Sequence, residues 1–457
     1  MHTMQTIWND LPGPATRWWG LPALAALRRD YLGAITAQQR FGDLVRQQIL
    51  TERIVDVFDP ELLRQVMVDD ADALIRWERG PEVFSYGLGQ SVLVTEGLFW
   101  QRQRRMLMQA FTPKRVAGHV AQMVEATTLG LTSLRPGELA MDGLFSHLAM
   151  DVISRTLFSA PISGDTQAAA NAVQVLSETA LREMFWPMTL PDWLPLPGKA
   201  AKRKSRGLIQ GLIQGHIDER QRHPDASKTD LLNMLLVLRD EDSGTALSAQ
   251  EVFDQCVLSF QAGHETTATA LLWWSWLMAS NPQAQARAAA EIDASLAGQP
   301  PGANAMQALP WLTATLKEAM RLFPPVAAVM TRRLTREIEL GGVRLPARTL
   351  VRVTPWLIHR DPRWWPREPK AFRPERFMAA TDDSSPDPIP RGAYIPFGLG
   401  PRVCLGQHFA ELEMTVIAAL LLQRFRLSTL TDTPPTPHLA VTLRPVGGLH
   451  LALEARQ

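Results

Sequence analysis

The longest hydrophobic pattern in the chain runs from Ser248 to Ala279. Its apolar residues recur at the spacing of an α-helix, and toward its end the segment is apolar on nearly all sides. Ser248 precedes Glu251 by three residues, which is the arrangement of a capping box at a helix N-terminus. Because a helix that is apolar all round must be covered by protein, the pattern predicts a long helix in the middle of the molecule.

Helical periodicity also governs most of the rest of the chain, whereas strand patterns are short and lie toward its two ends. Residues 44–58 predict two strands with a turn near Thr51, and Gly341-Gly342 is typical of a β-hairpin turn. A further hairpin is predicted at the C-terminus. Glycines interrupt residues 79–97, which we interpret as a loop that borders a pocket.

No repeat, low-complexity tract or linker divides the 457 residues. We therefore expect one domain over residues 1–457 that is mainly α-helical with a minor β region. In this interpretation, a small β subdomain combines residues from about 40–60, 328–355 and 438–455.

Composition removes several classes of function. Lys and Arg number 47 against 46 Asp and Glu, so no global positive field points to nucleic acid as a partner. The chain has only two cysteines, which provide neither a disulfide framework nor a zinc cluster, and we expect a cytoplasmic protein.

Two apolar stretches stand apart from the helical patterns. Residues 18–27 contain a proline, end at Arg28-Arg29 and are too short to span a bilayer, and the N-terminus does not resemble a signal peptide. Residues 185–198 are rich in proline and aromatic side chains. We expect no membrane anchor.

The stretch with the clearest chemistry is the sequence around Cys404. Gly398, Gly400 and Gly406 suit a tight loop whose backbone approaches a flat, bulky ligand, and a helix pattern follows. A cysteine at a helix N-terminus is biased toward the thiolate, which is the form that ligates metal, and Arg402 could pair with an acidic group of the same ligand. A lone cysteine is more often a small buried hydrophobic residue, so the interpretation depends on the whole spacing.

Three further groupings could carry function. Within the long helix, Ala262-Gly263 precedes Glu265 and Thr266, so a helix defect could lie beside an acid and a hydroxyl. Close helix packing through small residues would explain the same sequence. His264 lies between them, and we do not expect it to bind metal. The remaining pairs are Glu318 with Arg321 on an apolar helix face, and Trp100 with Arg104 one turn apart on another helix.

The spacing F-G-x-G-x-R-x-C-x-G closely resembles the heme-ligand loop of the cytochrome P450 family. The motifs W-x-x-x-R, A-G-x-E-T, E-x-x-R and P-E-R-F precede it in that family's order, so the resemblance covers most of the chain. It implies a fold with the long helix over heme b and the cysteine loop beneath it. It also implies that Cys404 ligates iron, that Glu265 and Thr266 relay protons, and that Glu318, Arg321 and Arg376 form a structural triad.

By the same resemblance, a set of residues would contact the heme or its propionates. The choice of Arg332 over Arg333 depends on spacing alone, because both follow the Pro324-Pro325 pair closely. The set comprises Trp100, Arg104, Ala262, Gly263, Arg332, Pro396, Phe397, Arg402 and Gly406.

The resemblance implies a monooxygenase that inserts one oxygen atom from O2 into a C–H bond, or a C=C bond, of a hydrophobic small molecule. Because the chain ends soon after the cysteine helix, we expect a monomer that takes electrons from a separate ferredoxin or flavodoxin with its NAD(P)H reductase. Arg102 and Arg105 would offer that partner a basic docking patch. Apolar residues would line the substrate pocket: Phe84, Val94, Phe185, Trp186, Leu258, Ala262, Val326, Ala327 and Val329.

The substrate class stays open among fatty acids, terpenoids and polyketide-like compounds. The W-x-x-x-R and H-R-D-P variants resemble the branch of the family that includes fatty-acid hydroxylases. Two other functions were weighed, a peroxygenase that uses hydrogen peroxide and a non-enzymatic heme sensor or carrier. The intact Glu265-Thr266 pair argues against the first, and a substrate-sized apolar pocket would argue against the second.

Overall fold

The computed structural model describes residues 6–161, 166–186, 188–225, 227–328, 330–378 and 388–456. Helices dominate this part of the chain, and the strands are short, so the predicted mainly α-helical fold with a minor β region is confirmed. No helix among the described residues is both long enough and apolar enough to cross a bilayer.

The helices follow one another through most of the sequence. In chain order they are α1 (Leu21–Arg29), α2 (Tyr31–Thr36), α3 (Pro60–Arg64), α4 (Arg79–Leu88), α5 (Gly97–Ala110), α6 (Pro113–Ala117), α7 (Val120–Thr132), α8 (Met141–Phe158), α9 (Thr166–Met184), α10 (Lys199–Arg222), α11 (Leu231–Val237), α12 (Ala249–Ser280), α13 (Pro282–Leu296), α14 (Ala305–Ala308), α15 (Pro310–Leu322), α16 (Pro355–Ile358) and α17 (Gln407–Arg424).

The strands form several small sheets. In chain order they are β1 (Thr6–Ile7), β2 (Leu44–Ile49), β3 (Glu52–Val57), β4 (Leu74–Arg76), β5 (Gly137–Ala140), β6 (Met330–Leu334), β7 (Ile338–Leu340), β8 (Val343–Leu345), β9 (Leu350–Val353), β10 (Phe425–Thr429), β11 (Pro437–Leu439), β12 (Leu443–Pro445) and β13 (His450–Ala455).

The predicted central helix is α12, which runs through the main hydrophobic core. The capping box forms as expected: the Glu251 N–H donates to Ser248 Oγ at 3.2 Å, and the Ser248 N–H donates to Glu251 Oε2 at 2.9 Å. From Thr267 to Ala279 almost every side chain of α12 is buried. Helices α8, α15 and α17 pack against it, so α12 is a fixed frame on which a site can be built.

Two of the three predicted hairpins are present. The C-terminal one is wrong, because β12 pairs with β11 and β13 pairs with β10 and β5 rather than with each other. Strands β2 and β3 pair antiparallel around a turn at Leu50-Thr51, and β7 pairs with β8 across Gly341-Gly342. Gly341 and Gly342 have φ of +57° and +76°, as a two-residue turn of this kind requires.

The β subdomain is assembled differently from the prediction. One five-stranded sheet, in the order β2-β3-β9-β6-β4, combines residues 44–57 with 330–353 and adds residues 74–76. The C-terminal strands do not join it, because β13 pairs with β10 and β5, and β12 pairs with β11. The reason is chain proximity, since α17 leads directly into β10 and leaves it beside the returning C-terminal strand.

The predicted loop at residues 79–97 is wrong in its first half. Residues 79–88 form α4, with Pro81 in the first turn, where a missing N–H is tolerated. The helix persists despite its glycines because Val83 and Leu88 are buried and Phe84 packs against the main core.

Candidate active site

The cysteine loop, residues 396–406, is held by its own turns and by a close contact with a neighbouring backbone. The Cys404 N–H donates to the Phe397 carbonyl at 3.0 Å. Gly400 has a φ of +76°, and a Cβ at this position would lie 1.9 Å from the Met67 carbonyl oxygen. Only glycine therefore lets the loop dock, and docking positions Cys404 on the wall of a cavity.

The Cys404 thiol faces that cavity rather than bulk water. Its side chain has accessible surface, yet protein surrounds it, and this burial raises the pKa of the thiol. A backbone N–H at Gly406 and the nearby Arg104 oppose the rise without overcoming it. Burial therefore opposes the thiolate bias expected from the helix N-terminus, and a metal ion bound to the sulfur would favour loss of the proton.

Four arginines from separate parts of the chain line the same cavity. Arg104 donates from Nη2 to the Val403 carbonyl at 3.0 Å, so α5 is tied directly to the cysteine loop. The Arg402 guanidinium lies 3.9 Å from the centre of the Trp100 ring. The four are Arg76 in β4, Arg104 in α5, Arg332 in β6 and Arg402 in the cysteine loop.

These arginines share one acidic partner among the described residues. Glu96 bonds to Arg402 and lies 3.9 Å from Nε of Arg76. Burial, followed by repulsion from Arg332 and Arg402, holds the pKa of Arg76 well below its ordinary value. Burial likewise lowers the pKa of Arg402 to about 10. The cluster is thus short of negative charge, and it suits a ligand with more than one carboxylate.

The structure separates the two arginines that the sequence left adjacent. Arg332 lines the cavity, and its Nη1 donates to the Thr331 carbonyl at 3.1 Å. Arg333 points to the opposite face of the strand, where it bonds to Glu52 and Glu78. The alternation of side chains along β6 therefore favours Arg332 as the ligand-facing residue.

Across the cavity from Cys404, helix α12 presents Ala262, Gly263, Thr266 and Thr267. Thr266 Oγ1 donates to the Ala262 carbonyl at 2.8 Å, which is the bond back along the helix that the sequence predicted. The predicted bulge is absent, because α12 is continuously α-helical from Ala249 to Ser280. Helix packing favours glycine at position 263 instead, since a Cβ there would lie 3.0 Å from Ile153 Cδ1 of α8.

Glu265 does not line the cavity. Its Oε1 accepts from Thr442 Oγ1 at 2.9 Å, and its Oε2 accepts from Ser177 Oγ at 2.7 Å. Nη2 of Arg444 lies 3.5 Å from Oε1. The carboxylate is therefore held on the far side of α12 from Cys404, while Thr266 faces the cavity. The neighbouring His264 is buried, with Nδ1 2.9 Å from the Phe260 carbonyl oxygen.

The Glu318–Arg321 pair is completely buried. Arg321 donates to both Glu318 oxygens at 2.7 Å and also to the carbonyls of His359 and Pro369. Arg376 Nε lies 3.5 Å from Glu318 Oε1, so the three predicted triad residues meet. Their contacts tie α15 to the irregular segment ahead of the cysteine loop.

The cavity has a volume of ≈390 Å³ and lies between α12 and the cysteine loop. Of the predicted pocket residues, Leu258, Ala262 and Val326 line it. Phe84, Val94, Phe185, Trp186 and Ala327 do not. Phe84, Phe185 and Ala327 pack in core clusters, Val94 is buried away from the lining, and Trp186 faces solvent. Val329 lies outside the described residues. The cavity-lining residues that the sequence did not identify come largely from α5, α8 and α17. The apolar faces of these helices have the same sequence pattern as ordinary core-facing helices.

Comparison with known proteins decides the family. A profile described as Cytochrome P450 matches residues 12–452. A cyclooctatin synthase of Streptomyces melanosporofaciens is 32% identical, over 95% of this chain and 96% of the relative. A cyclooctat-9-en-7-ol 5-monooxygenase of the same organism is 31% identical over 89% and 87%, and a pentalenene oxygenase of Streptomyces avermitilis is 30% identical over 91% of each chain.

The chain belongs to the cytochrome P450 family. It is accordingly a monooxygenase that uses O2 and acts on a hydrophobic small molecule, as the sequence predicted. Members of this family bind heme b, so heme b is the cofactor of this P450. When bound, the heme activates dioxygen, while the protein supplies binding, orientation and exclusion of water.

The residues of the cavity fit this cofactor. Heme b has two propionate carboxylates. The four arginines have a single acidic partner among the described residues, so the propionates would supply the negative charge that the cluster is missing. Arg76 Nε is buried and has no hydrogen-bond partner among the described residues, which leaves a donor for a propionate. Cys404 is the one cysteine in the described lining of the cavity, and it could supply the sulfur ligand that a heme-thiolate protein needs. The cluster and the cysteine therefore meet both chemical requirements of the cofactor.

The most important residue that sequence reasoning missed is Arg76. It belongs to β4, far in sequence from every motif of the P450 resemblance, and only the pairing of β4 with β6 brings it beside Arg332. A lone arginine in LIRW carries no spacing signal, so no pattern could have identified it.

The predicted basic docking patch also needs correction. Arg102 bonds to Glu251 at the start of α12, and Arg105 bonds to Asp240 at 2.6 Å and Asp242 at 2.8 Å. The turn after α11 lies beside α5, and its carboxylates, together with that of Glu251, neutralise both arginines. The two residues therefore serve as links between elements rather than as a free positive surface.

Proposed function

We propose that this P450 oxidises a neutral polycyclic terpenoid. Two of the relatives act on cyclooctat-9-en-7-ol and pentalenene by name, and both are terpenoids. Such molecules offer C–H bonds and few or no charged groups, so their recognition depends on apolar shape. The fatty acids and polyketide-like compounds that the sequence left open are the competing classes.

The observation that carries this proposal is the distribution of charge in the cavity. Among the described residues, its lining contains no Lys, Asp or Glu, and its only arginines are the four of the propionate cluster. A fatty acid would have to place its carboxylate against that cluster, in competition with the heme propionates. Away from the cluster the wall is formed mainly by apolar residues, including Ile153, Leu157 and Leu258. A few hydroxyls, the Gln255 amide and the His119 imidazole complete it.

We assign the cofactor contacts from the same geometry. Cys404 would provide the thiolate to iron, and Arg76, Trp100, Arg104, Arg332 and Arg402 would hold the propionates. Ala262, Gly263, Pro396, Phe397 and Gly406 line the cavity and would face the macrocycle. Glu318, Arg321 and Arg376 would position the segment that leads into the cysteine loop.

We assign proton delivery to Thr266, which faces the cavity, with Glu265 acting behind it. Thr266 Oγ1 can donate to a cavity oxygen after leaving the Ala262 carbonyl. Glu265 is a positioning and proton-supplying group rather than a contact residue, because Ser177 and Thr442 hold its carboxylate outside the cavity.

Electrons would come from a ferredoxin or flavodoxin with its reductase. This assignment rests on the requirement of the family for redox partners, since Arg102 and Arg105 no longer mark a docking site. A cytoplasmic location is part of the proposal and is supported by Cys256 and Cys404, which are both free thiols in the structure.

The test is a titration of the ferric holoenzyme with a cyclic terpene alcohol and, separately, with a long-chain fatty acid. We expect the terpene alcohol to shift the heme absorption to the high-spin form and the fatty acid to leave it unchanged. Leu258→Trp, which narrows the cavity at a residue that has no assigned cofactor contact, should abolish the shift while the reduced carbon monoxide spectrum stays normal.

A fatty acid that produced the larger shift would refute the terpenoid proposal. A normal heme spectrum with no response to either compound would also count against it. Loss of heme binding in the wild type would contradict the cofactor assignment itself, and this outcome can be told apart because the absorption spectrum would lack the Soret band.

A further inference from the structure

Helix α10 has one long face that no other part of the described chain covers. Its buried side chains, which include Ile209, Ile213 and Ile217, point inward, and the helix packs against α9 and α12. The opposite face is exposed through the length of the helix and carries glycines between charged residues. We call this face the α10 ridge, and it is formed by Lys204, Gly207, Gly211, Gly215 and Asp218.

The middle of the ridge consists of Gly207, Gly211 and Gly215, one helical turn apart. After proline, glycine is the least favourable residue in a helix interior, so each of the three needs a reason. A Cβ at Gly130 or Gly263 would lie 2.4 Å or 3.0 Å from a side chain of a neighbouring helix, whereas a Cβ on any of the three ridge glycines would have no atom within 4 Å. Packing within this chain therefore does not account for them.

The charges on either side of the glycines indicate which partner the ridge fits. Lys204 lies seven residues before Gly211, and Asp218 lies seven residues after it. Arg203 and Glu219 lie eight residues before and after the same glycine. Each half of the ridge therefore carries the charge that complements the other half, in reverse order along the helix.

This pattern is complementary to a second copy of itself in the antiparallel orientation. A twofold axis at Gly211 would place Lys204 opposite the partner's Asp218 and Arg203 opposite the partner's Glu219, and each pair would occur twice. Around the helix axis, Lys204 and Asp218 lie about 20° from Gly211, and Arg203 and Glu219 lie about 80° from it. The first pair would thus lie at the centre of the contact and the second along its edge.

The central charges have no counter-charge within this chain. No ion pair among the described residues includes Lys204 or Asp218. Asp218 accepts a hydrogen bond from the neutral Gln214 amide at 2.6 Å, which leaves its negative charge uncompensated. Both side chains are exposed and could pair with a second copy without breaking an existing salt bridge.

The edge charges are partly engaged already. Arg203 donates to the Asp192 carbonyl, and Glu219 pairs with Arg222 at 2.9 Å. These contacts are exposed, so solvent screens them and they are weak. The edge pairs would therefore contribute less to association than the central pairs, and a test belongs at Lys204 and Asp218.

We propose that this protein forms an antiparallel homodimer through the α10 ridge. The two copies of α10 would cross at Gly211, where the absence of side chains lets the backbones approach closely. A single helix pair buries less area than the about 1,200–2,000 Å² of a standard interface, so the dissociation constant would lie in the micromolar range. This dimer would replace the monomer expected from the sequence, and it does not depend on the identity of the substrate.

The test is sedimentation velocity of the holoenzyme at concentrations from micromolar to near-millimolar. We expect the wild type to pass from monomer to dimer over this series, with a weaker dimer at raised salt. Lys204→Glu and Asp218→Lys should each weaken the dimer at least about tenfold, because each places like charges at both central contacts. An equimolar mixture of the two variants should dimerise again, since every central contact of the mixed dimer then joins opposite charges.

A steric variant tests the close approach separately. Gly211→Leu should abolish the dimer, whereas the matched control Gly143→Leu, at another exposed helical glycine with no atom within 4 Å of its Cβ, should leave it unchanged. Lys114→Glu on α6 is the control for the change in charge and should also dimerise normally. A normal reduced carbon monoxide spectrum would show that each variant is folded.

Three outcomes would overturn the proposal. The first is a wild type that stays monomeric over the whole concentration series. The second is a dimer that Gly211→Leu leaves intact or that the control variants dissociate equally. The third is a mixture of Lys204→Glu and Asp218→Lys that remains as monomeric as each variant alone, because only the antiparallel arrangement centred on Gly211 predicts recovery on mixing.

Discussion

At the scale of single residues, the balance of charge around the cavity explains more than any motif does. Four guanidiniums converge on a space that the described chain supplies with one carboxylate, so the protein without cofactor contains strong internal repulsion. Each of these arginines has two opposite effects on stability. It destabilises the protein when the cavity is empty and stabilises it when the heme propionates occupy the cavity.

Arg76→Met tests this reasoning through two measurements of opposite sign. Since Arg76 is a buried cation beside Arg332 and Arg402, its removal should raise the melting temperature of the heme-free protein. The same change should speed loss of heme to a scavenger protein by about 10- to 100-fold, because one charge-assisted hydrogen bond is gone.

Arg333→Met is the control, since that side chain bonds to Glu52 and Glu78 on the other face of β6. It should lower stability without changing the rate of heme loss. A faster heme loss in Arg333→Met than in Arg76→Met would show that the wrong arginines have been placed at the propionates.

The role of Thr266 gives a second prediction at this scale. Thr266→Ala removes the hydroxyl that faces the cavity, whereas Thr266→Ser keeps it. We expect the alanine variant to bind substrate with a normal spectral shift but to form product per NAD(P)H consumed at least about tenfold less efficiently. The serine variant should recover most of this coupling, and an alanine variant with full coupling would contradict the proposed proton relay.

At the scale of structural elements, the site depends on where the cysteine loop is clamped. The loop is tied to α5 through Arg104, to the turn at Met67 through Gly400, and to α15 through the triad segment. None of these contacts is close in sequence. The position of the Cys404 sulfur is therefore a property of several elements that pack together.

Gly400→Ala should break one of these contacts. A Cβ at Gly400 would clash with the backbone carbonyl of Met67 at 1.9 Å and would also have to adopt a φ of +76°. Gly447→Ala shares that φ of +76° but has no atom within 4 Å of the new Cβ. We expect about 1–2 kcal/mol of destabilisation for Gly447→Ala and clearly more for Gly400→Ala, together with a weakened or shifted thiolate-heme spectrum.

Denaturant unfolding and the reduced carbon monoxide spectrum would measure both effects. The difference between the two variants isolates the steric contact from the backbone strain. Equal stability and equal spectra in the two variants would mean that the loop can move away from Met67 without consequence.

At the scale of the whole molecule, the open question is whether the sheet and the helical body unfold together. We propose that residues 1–457 form one cooperative domain, as the sequence suggested. The main core cluster extends from Leu88 to Leu453, and the sheet carries two of the four cavity arginines that we assign to the propionates, so heme binding would couple both parts.

We expect the holoenzyme to show one thermal transition, with loss of helical signal, loss of tryptophan burial and loss of the Soret band at the same temperature. In the holoenzyme, Arg76→Met should lower the temperature of this single transition rather than divide it into two, because weaker heme retention destabilises the whole domain. A separate earlier transition without loss of the Soret band would show that the sheet unfolds as an independent domain.

The sequence by itself determined the family, the central helix with its cap, the β2–β3 and β7–β8 hairpins and the order of the motifs, because these depend on residues close together in the chain. It also indicated Cys404, Thr266 and the Glu318–Arg321 pair through spacing. The tertiary structure alone decided which of Arg332 and Arg333 faces the cavity, that Arg76 joins them, and that Glu265 is held outside. It also decided that Arg102 and Arg105 are neutralised. These outcomes depend on contacts between elements distant in sequence, and a local pattern carries no information about which distant charge a side chain will meet.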